Sequence, residues 1–127
     1  MVGIVIVSHS MKLAESVVEL TAMMAPNANI AAAGGLEDGS MGTSFERIST
    51  AIDKVDTQDG VLVLMDMGSA VMTTEMVLEM MPDRKIKMVD CPLVEGAVAA
   101  TVSTSCGNSF EEVLEELSDT ASFKKLG

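Results

Sequence analysis

Apolar and polar positions along this chain follow two periods that take turns. Val2–Gly3–Ile4–Val5–Ile6–Val7 is an unbroken, mostly β-branched run, as expected of a strand buried on both faces. Ser8–His9–Ser10 follows. From about residue 11 to residue 25 the spacing turns helical, with Ala14, Val17, Val18, Thr21 and Met24 on one face, until Pro26–Asn27 ends the segment. Ile30–Ala33 predicts a short, weak strand stopped by Gly34–Gly35, and a loop runs from Leu36 to Gly42. Thr43 then reads as an N-cap, with Glu46 completing a capping box and Phe45, Ile48, Ile52 and Val55 forming the buried stripe of the helix. After the Asp59–Gly60 turn, Val61–Leu62–Val63–Leu64–Met65 is a second buried strand, ending at Asp66. Met67–Gly68–Ser69 leads into a helix predicted over about 69 to 81, closed by Pro82–Asp83. Ile86–Lys87–Met88–Val89 is a further strand, ending at Asp90. Pro92 stands near the start of a helix over about 93 to 106, where its missing N–H costs little. That helix carries Leu93, Val94, Ala97, Val98 and Val102 on most of its sides and is predicted to be buried. A last helix sets Phe110, Val113, Leu114 and Leu117 against a face of Glu111, Glu112, Glu115 and Glu116.

Strand and helix alternate throughout, with no linker, repeat or low-complexity segment. The pattern predicts an α/β fold: a single, doubly wound, mainly parallel sheet with helices on both faces, and one domain over residues 1–127.

Composition narrows this picture. The chain has 127 residues, 48% of them apolar, yet its only aromatics are three Phe, so the core is aliphatic. Its 12 Met are read as adaptable core filler, the other reading being a promiscuous binding surface. The formal charge of −11 argues against nucleic acid and anionic membrane surfaces and suits a basic protein partner. No apolar run reaches the length of a membrane span and no secretory leader is evident. Cys91 and Cys106 stand far apart with no His nearby, which predicts reduced thiols, a cytoplasmic protein and no metal site.

The candidate chemistry lies in three loops that each follow a predicted strand, and in a parallel sheet such loops gather at one edge. The first holds Ser8, His9 and Ser10; the second Gly34, Gly35 and, further on, Thr43 and Ser44; the third Asp66, Gly68 and Ser69. His9 is the only histidine, and imidazole alone titrates near neutral pH. As a nucleophile it needs one ring nitrogen free and the other held. Asp66 at a neighbouring strand end can accept that second N–H and steady the positive charge as the first nitrogen attacks phosphorus. Gly68–Ser69 opens a helix whose free N–H groups favour an anion. Hydroxyls of Ser10, Thr43 or Ser69 can add hydrogen bonds, and glycines such as Gly35 let backbone approach closely. On residues alone the plainer readings stay open: His9 as a partly buried structural side chain, Asp66 and Thr43 as caps, the glycines as turn formers. No nucleotide-binding P-loop or dinucleotide motif is present, so neither an ATP-using kinase nor a cofactor-bound enzyme is expected.

Four motifs in order carry a resemblance: Gly3–Ile4–Val5–Ile6–Val7–Ser8–His9–Ser10, Gly39–Ser40–Met41–Gly42–Thr43–Ser44, Met65–Asp66–Met67–Gly68–Ser69–Ala70 and Pro92–Leu93–Val94–Glu95–Gly96–Ala97. Together the chain resembles the DhaM family, the phosphotransfer subunits of phosphoenolpyruvate-dependent dihydroxyacetone kinases, over essentially its whole length. The resemblance implies the mannose-type enzyme IIA fold, a homodimer, and a phosphohistidine at His9 charged by the carrier HPr. It implies transfer of the phosphoryl group to ADP on a DhaL-type subunit, the ATP formed serving dihydroxyacetone on a DhaK-type subunit. Asp66 matches the aspartate that pairs with the histidine, and Gly68 and Ser69 match the phosphate-binding turn. Some members continue into HPr-like and enzyme I-like domains; this chain ends at Gly127, so dependence on free HPr is expected.

Two rivals differ in particular residues. A mannose-type sugar transporter's enzyme IIA domain usually reads Gly-Gly-Ser-Pro where this chain has Gly68–Ser69–Ala70. A non-catalytic receiver-like module needs an acidic cluster after its first strand, where this chain has Ser8–His9–Ser10.

Overall fold

The computed structural model describes residues 1–122 and 124–126. Its elements run β1 (Gly3–Ser8), α1 (Met11–Ala22), β2 (Ile30–Gly34), α2 (Phe45–Val55), β3 (Val61–Met65), α3 (Ser69–Glu79), β4 (Ile86–Val89), α4 (Leu93–Ser105) and α5 (Phe110–Ser118), with a 3-10 turn at Thr120–Ser122. The four strands form one sheet in the order β2-β1-β3-β4, every pairing parallel. This is the doubly wound α/β sheet expected from the alternating pattern.

Strand alternation divides the core. Ile4, Ile6, Leu62 and Leu64 face one way, into a cluster with Ala14 and Val17 of α1, Ala97 and Ala100 of α4, and Phe110, Val113 and Leu117 of α5. Val5, Val7, Val61 and Val63 face the other, against Ile48, Ile52 and Val55 of α2 and Ala70 and Val77 of α3. Both faces of β1 and β3 are therefore covered, and that is why these strands read as continuous apolar runs.

The register brings Ser8 level with Gly34, and Val7 level with Met65, so the three strands end together. The chain leaves β1 toward β2 on one side and later returns to β3 on the other. The crevice between the ends of β1 and β3 is thus the topological switch point, where open α/β sheets place their ligands.

Several side-chain expectations are corrected. No methionine is buried, and eight are well exposed, Met23, Met41, Met67, Met72 and Met80 among them. The strands supply Val, Ile and Leu and the helices Ala and Thr, and Met65 and Met81 only pack against this core from its edge, partly buried. Met24 faces solvent, and Phe45 is 37% exposed, its place in the α2 stripe taken by Ala51. In α4 the buried face is Gly96, Ala97, Ala100, Thr101, Ser103 and Thr104, while Val94 and Val102 are exposed. Small residues let that helix lie close on the sheet, so the valines turn outward. Thr43 is not a cap: Ser44 caps α2, at φ −115 and ψ 122, and its Oγ accepts from Arg47 N–H at 3.2 Å.

Among the described residues, no helix is long and apolar enough to cross a membrane.

Candidate functional site

The residue after β1 and the residue after β3 meet across the switch point. His9 Nδ1 lies 3.0 Å from Asp66 Oδ1. Asp66 is held in turn by its surroundings: Oδ2 accepts from Ser8 Oγ at 2.9 Å and from His9 N–H at 3.0 Å, and Oδ1 accepts from Met67 N–H at 2.7 Å. Burial pushes this carboxyl up, but the His9 and Met67 N–H groups, the Ser8 hydroxyl and the His9 ring outweigh it. The net result lies below the ordinary aspartate value of 3.8. Asp66 is therefore an acceptor only, so the proton of the neutral ring sits on Nδ1 and the lone pair on Nε2.

Nε2 faces outward, with the His9 side chain 29% exposed and Asp66 15%. Ser69 Oγ is 2.7 Å from Nε2. With the lone pair there, the hydroxyl donates and the nitrogen accepts. Ser69 is the first residue of α3, and Gly68 before it has φ 55 and ψ −119, a conformation open only to glycine. Among the described residues the N–H groups of Gly68 and Ser69 have no backbone acceptor, and they stand at the positive end of the helix dipole.

The remaining predicted residues divide. Thr43 joins the site: its Oγ1 lies 3.3 Å from Ser69 Oγ, 3.5 Å from Ser69 O and 2.8 Å from Thr73 Oγ1. The loop that carries it is pinned by Gly42 N–H donating to His9 O at 2.9 Å. Ser10 caps α1, its Oγ accepting from Leu13 N–H at 3.2 Å, while its own N–H donates to Ser8 Oγ at 3.0 Å. Gly35 stands apart: it is buried, and its N–H is taken by Ser8 O at 3.1 Å, so it offers no free donor. Gly34 beside it matters through space, since a Cβ there would lie 2.5 Å from Ser10 O and 2.9 Å from Ala14 Cβ. Its bare backbone is what lets α1 begin next to His9.

Sequence reasoning assigned no role to Ser8 or Thr73. Ser8 is fully buried at the end of an apolar strand. A hydroxyl in that setting needs a partner, which is the signal that would have found it. Thr73 lies one helical turn past Ser69, on the same face.

Residues 3–114 match the family model described as the PTS system fructose IIA component, EIIA-man. The chain belongs to the EIIA-man family. Among curated proteins it is 41% identical to the PTS-dependent dihydroxyacetone kinase phosphotransferase subunit DhaM of Lactococcus lactis, over 91% of this chain and 92% of that one. It is 34% identical to the PEP-dependent dihydroxyacetone kinase 2 phosphoryl donor subunit DhaM of Listeria innocua, over 94% and 98%. The Escherichia coli phosphoryl donor subunit DhaM is 41% identical over 90% of this chain, a stretch that makes up only 26% of that protein. Of solved structures, a protein of unknown function aligns with TM-score 0.84 at 29% identity, covering 99% of this chain and 98% of that one. The EIIA component of Streptococcus agalactiae aligns with TM-score 0.72 at 17% identity over 96% and 93%, a likeness of fold.

Among the described residues of this EIIA-man domain, the thiol beside Asp66 does not compete with His9. Cys91 lines a cleft of about 320 Å³ on the far side of Asp66, but burial, and to a lesser degree the charge of Asp90, push its thiol up to about 11. It stays protonated and inert at neutral pH.

Proposed function

We propose that this chain is a phosphohistidine carrier. His9 takes a phosphoryl group from phospho-HPr and gives it to ADP held on a DhaL-type subunit; the ATP formed there phosphorylates dihydroxyacetone on a DhaK-type subunit. The observation that carries the reading is the fixed tautomer: Asp66 holds Nδ1–H and leaves Nε2 as an outward-facing nucleophile beside the N-terminus of α3. The names of the curated relatives support the choice of dihydroxyacetone kinase over a sugar transporter.

In this reading the Nε2 lone pair attacks phosphorus as the bond to the donor's nitrogen breaks, and that nitrogen keeps the electron pair. The ring carries positive charge as the new P–N bond forms, and the Asp66 carboxylate faces it through Nδ1–H. The phosphoryl oxygens take up hydrogen bonds from the Gly68 and Ser69 N–H groups and from the hydroxyls of Ser69 and Ser10, with Thr43 completing the site behind Ser69. Gly35 is left as a turn former. Residues 1–127 act as one carrier domain, in the cytoplasm, as a homodimer; no metal or other cofactor enters the step.

Incubation with phosphoenolpyruvate, enzyme I and HPr tests the proposal. One acid-labile, base-stable phosphoryl group on His9 is expected, and none on His9→Ala. Label retained by His9→Ala, or stoichiometric labelling from ATP without HPr, would overturn it.

A further inference from the structure

Three hydroxyl groups stand in line behind the attacking nitrogen. Thr73 Oγ1 is 2.8 Å from Thr43 Oγ1, Thr43 Oγ1 is 3.3 Å from Ser69 Oγ, and Ser69 Oγ is 2.7 Å from His9 Nε2. Each hydroxyl has one proton to give, so the direction of the line follows from its ends. Asp66 fixes the lone pair on Nε2, hence Ser69 spends its proton there. Thr43 is then the donor toward Ser69, reaching its Oγ and its carbonyl at 3.5 Å, and its own oxygen is left to accept from Thr73. Three separate pieces of chain meet in this line: the loop before α2, the start of α3, and the loop after β1.

We propose that Thr73 is a positioning residue for phosphoryl transfer, acting through Thr43 to keep the Ser69 hydroxyl aimed at His9 Nε2. The proposal rests on the carrier reading above and extends it to a residue that touches neither the histidine nor the phosphoryl group. The reason a positioner is needed lies in Ser69 itself. A serine at the first position of a helix has three staggered rotamers, and only one brings Oγ over Nε2. Thr43 selects that rotamer by holding the Ser69 hydroxyl and carbonyl together. Thr43 in turn sits on a loop, and the helix-borne Thr73 is the rigid post to which it is tied.

The line also has to change state. Once the Nε2 lone pair becomes the P–N bond, Nε2 accepts no hydrogen bond, and the Ser69 proton turns to a phosphoryl oxygen. No proton is gained or lost; one donor swings between two acceptors two bonds apart. Thr43 and Thr73 keep the Ser69 oxygen in place through that swing, so the donor is already on station when the phosphoryl group arrives.

The lone histidine makes the test direct. In 15N NMR of the unphosphorylated protein, Nδ1 and Nε2 each give one resonance, free of overlap from other imidazoles. Ser69→Ala removes the hydrogen bond at Nε2 and moves its resonance. Thr73→Val, close in volume but lacking the hydroxyl, is expected to move it part of the way in the same direction, with Nδ1 unchanged and the protein still folded. Thr73→Ser, which restores the hydroxyl, is expected to bring it back. In the transfer assay Thr73→Val is expected to lower the maximal rate roughly three- to tenfold, the size of one neutral hydrogen bond, with the KM for the donor protein unchanged. An Nε2 resonance that stays at the wild-type position in Thr73→Val while Ser69→Ala moves it would overturn the proposal, as would failure of Thr73→Ser to rescue. If the wild-type protein takes no phosphoryl group from the donor, the carrier reading fails, while the NMR series still decides whether Thr73 orders Ser69.

Discussion

Replacing Asp66 by Asn probes the site at its most loaded atom pair. The carboxylate accepts four hydrogen bonds, two on each oxygen: Ser8 hydroxyl and His9 N–H on Oδ2, His9 Nδ1–H and Met67 N–H on Oδ1. Asn has one acceptor oxygen and one NH2 group. With the NH2 at the Oδ1 position it donates to the ring, so Nδ1 must give up its proton and Nε2 must take it. The attacking nitrogen then has no lone pair. With the NH2 at the Oδ2 position the tautomer survives, but the ring faces a neutral carbonyl as positive charge develops on it. In either orientation a backbone N–H, of His9 or of Met67, is left pointing at an NH2. A hydrogen bond to a charged group contributes about 1.5–3 kcal/mol, which at 1.36 kcal/mol per decade is a roughly 10- to 160-fold loss of transfer rate. Ser-His-Asp triads lose about four orders of magnitude on the same change, a ceiling here because their histidine must also act as a base.

The assay is the single-turnover rate of phosphoryl transfer from phospho-HPr, measured on protein shown to be folded by its urea midpoint. The unpaired N–H is expected to lower stability by about 1–3 kcal/mol without preventing folding. The histidine tautomer, read by 15N NMR, tells which orientation the amide takes. A variant that is folded, keeps the Nδ1–H tautomer and transfers at the wild-type rate would refute the reasoning and leave Asp66 as a structural cap.

Two further outcomes follow from the same geometry. Gly34→Ala places a Cβ 2.5 Å from Ser10 O and 2.8 Å from Met11 Cα, both backbone, so α1 must shift; we expect a loss of about 1–3 kcal/mol in urea unfolding and slower transfer, and wild-type values for both would show that the contact is slack. Asp66 titrates below its ordinary value when folded, so the stability it contributes is fully present above the unfolded carboxyl range near pH ~4 and is lost as pH falls through the lowered value; the stability gap between wild type and Asp66→Asn should therefore narrow in acid, and a gap independent of pH would contradict the assignment.

What the sequence could and could not announce follows from how local each cause is. The strands at Gly3–Ser8 and Val61–Met65 were legible because burial on both faces leaves an unbroken apolar run. His9 and Asp66 were legible because each is the first strongly polar side chain at or just past the end of such a run. The α2 cap was misplaced by one residue because Thr43 and Ser44 both carry a hydroxyl, and the Glu46 spacing favours the wrong one. Only the loop's path, pinned by Gly42 to His9 O, decides between them. The methionines were misread because composition counts apolar residues without saying whether anything covers them. Met72 and Met76 of α3 and Met80 at its C-cap are all exposed. Thr73 escaped notice, and Ser8 was placed in the first candidate loop without a partner, because the groups they bond, Thr43 and Asp66, lie 30 and 58 residues away. No window along the chain contains both ends of either contact.

A carrier has a constraint that a binding protein lacks: it must hold its cargo and still let it go. The donors set around His9 and Asp66 are all neutral, namely serine and threonine hydroxyls and backbone N–H groups. The cations that do form ion pairs are spent elsewhere, Arg84 on Asp53 and Asp56, Lys85 on Glu111, Lys125 on Glu95. Each hydrogen bond from these donors to a charged phosphoryl oxygen contributes about 1.5–3 kcal/mol, and a cationic donor would add direct ion pairing to that. An arginine or lysine over Nε2 would deepen the phosphorylated state and slow its discharge. With hydroxyls and a helix N-terminus the phosphoryl group is held without that added pairing. The one full charge in the site, on Asp66, acts on the ring rather than on the cargo. Its attraction grows as the ring becomes positive, and so it eases arrival and departure through the same transition state.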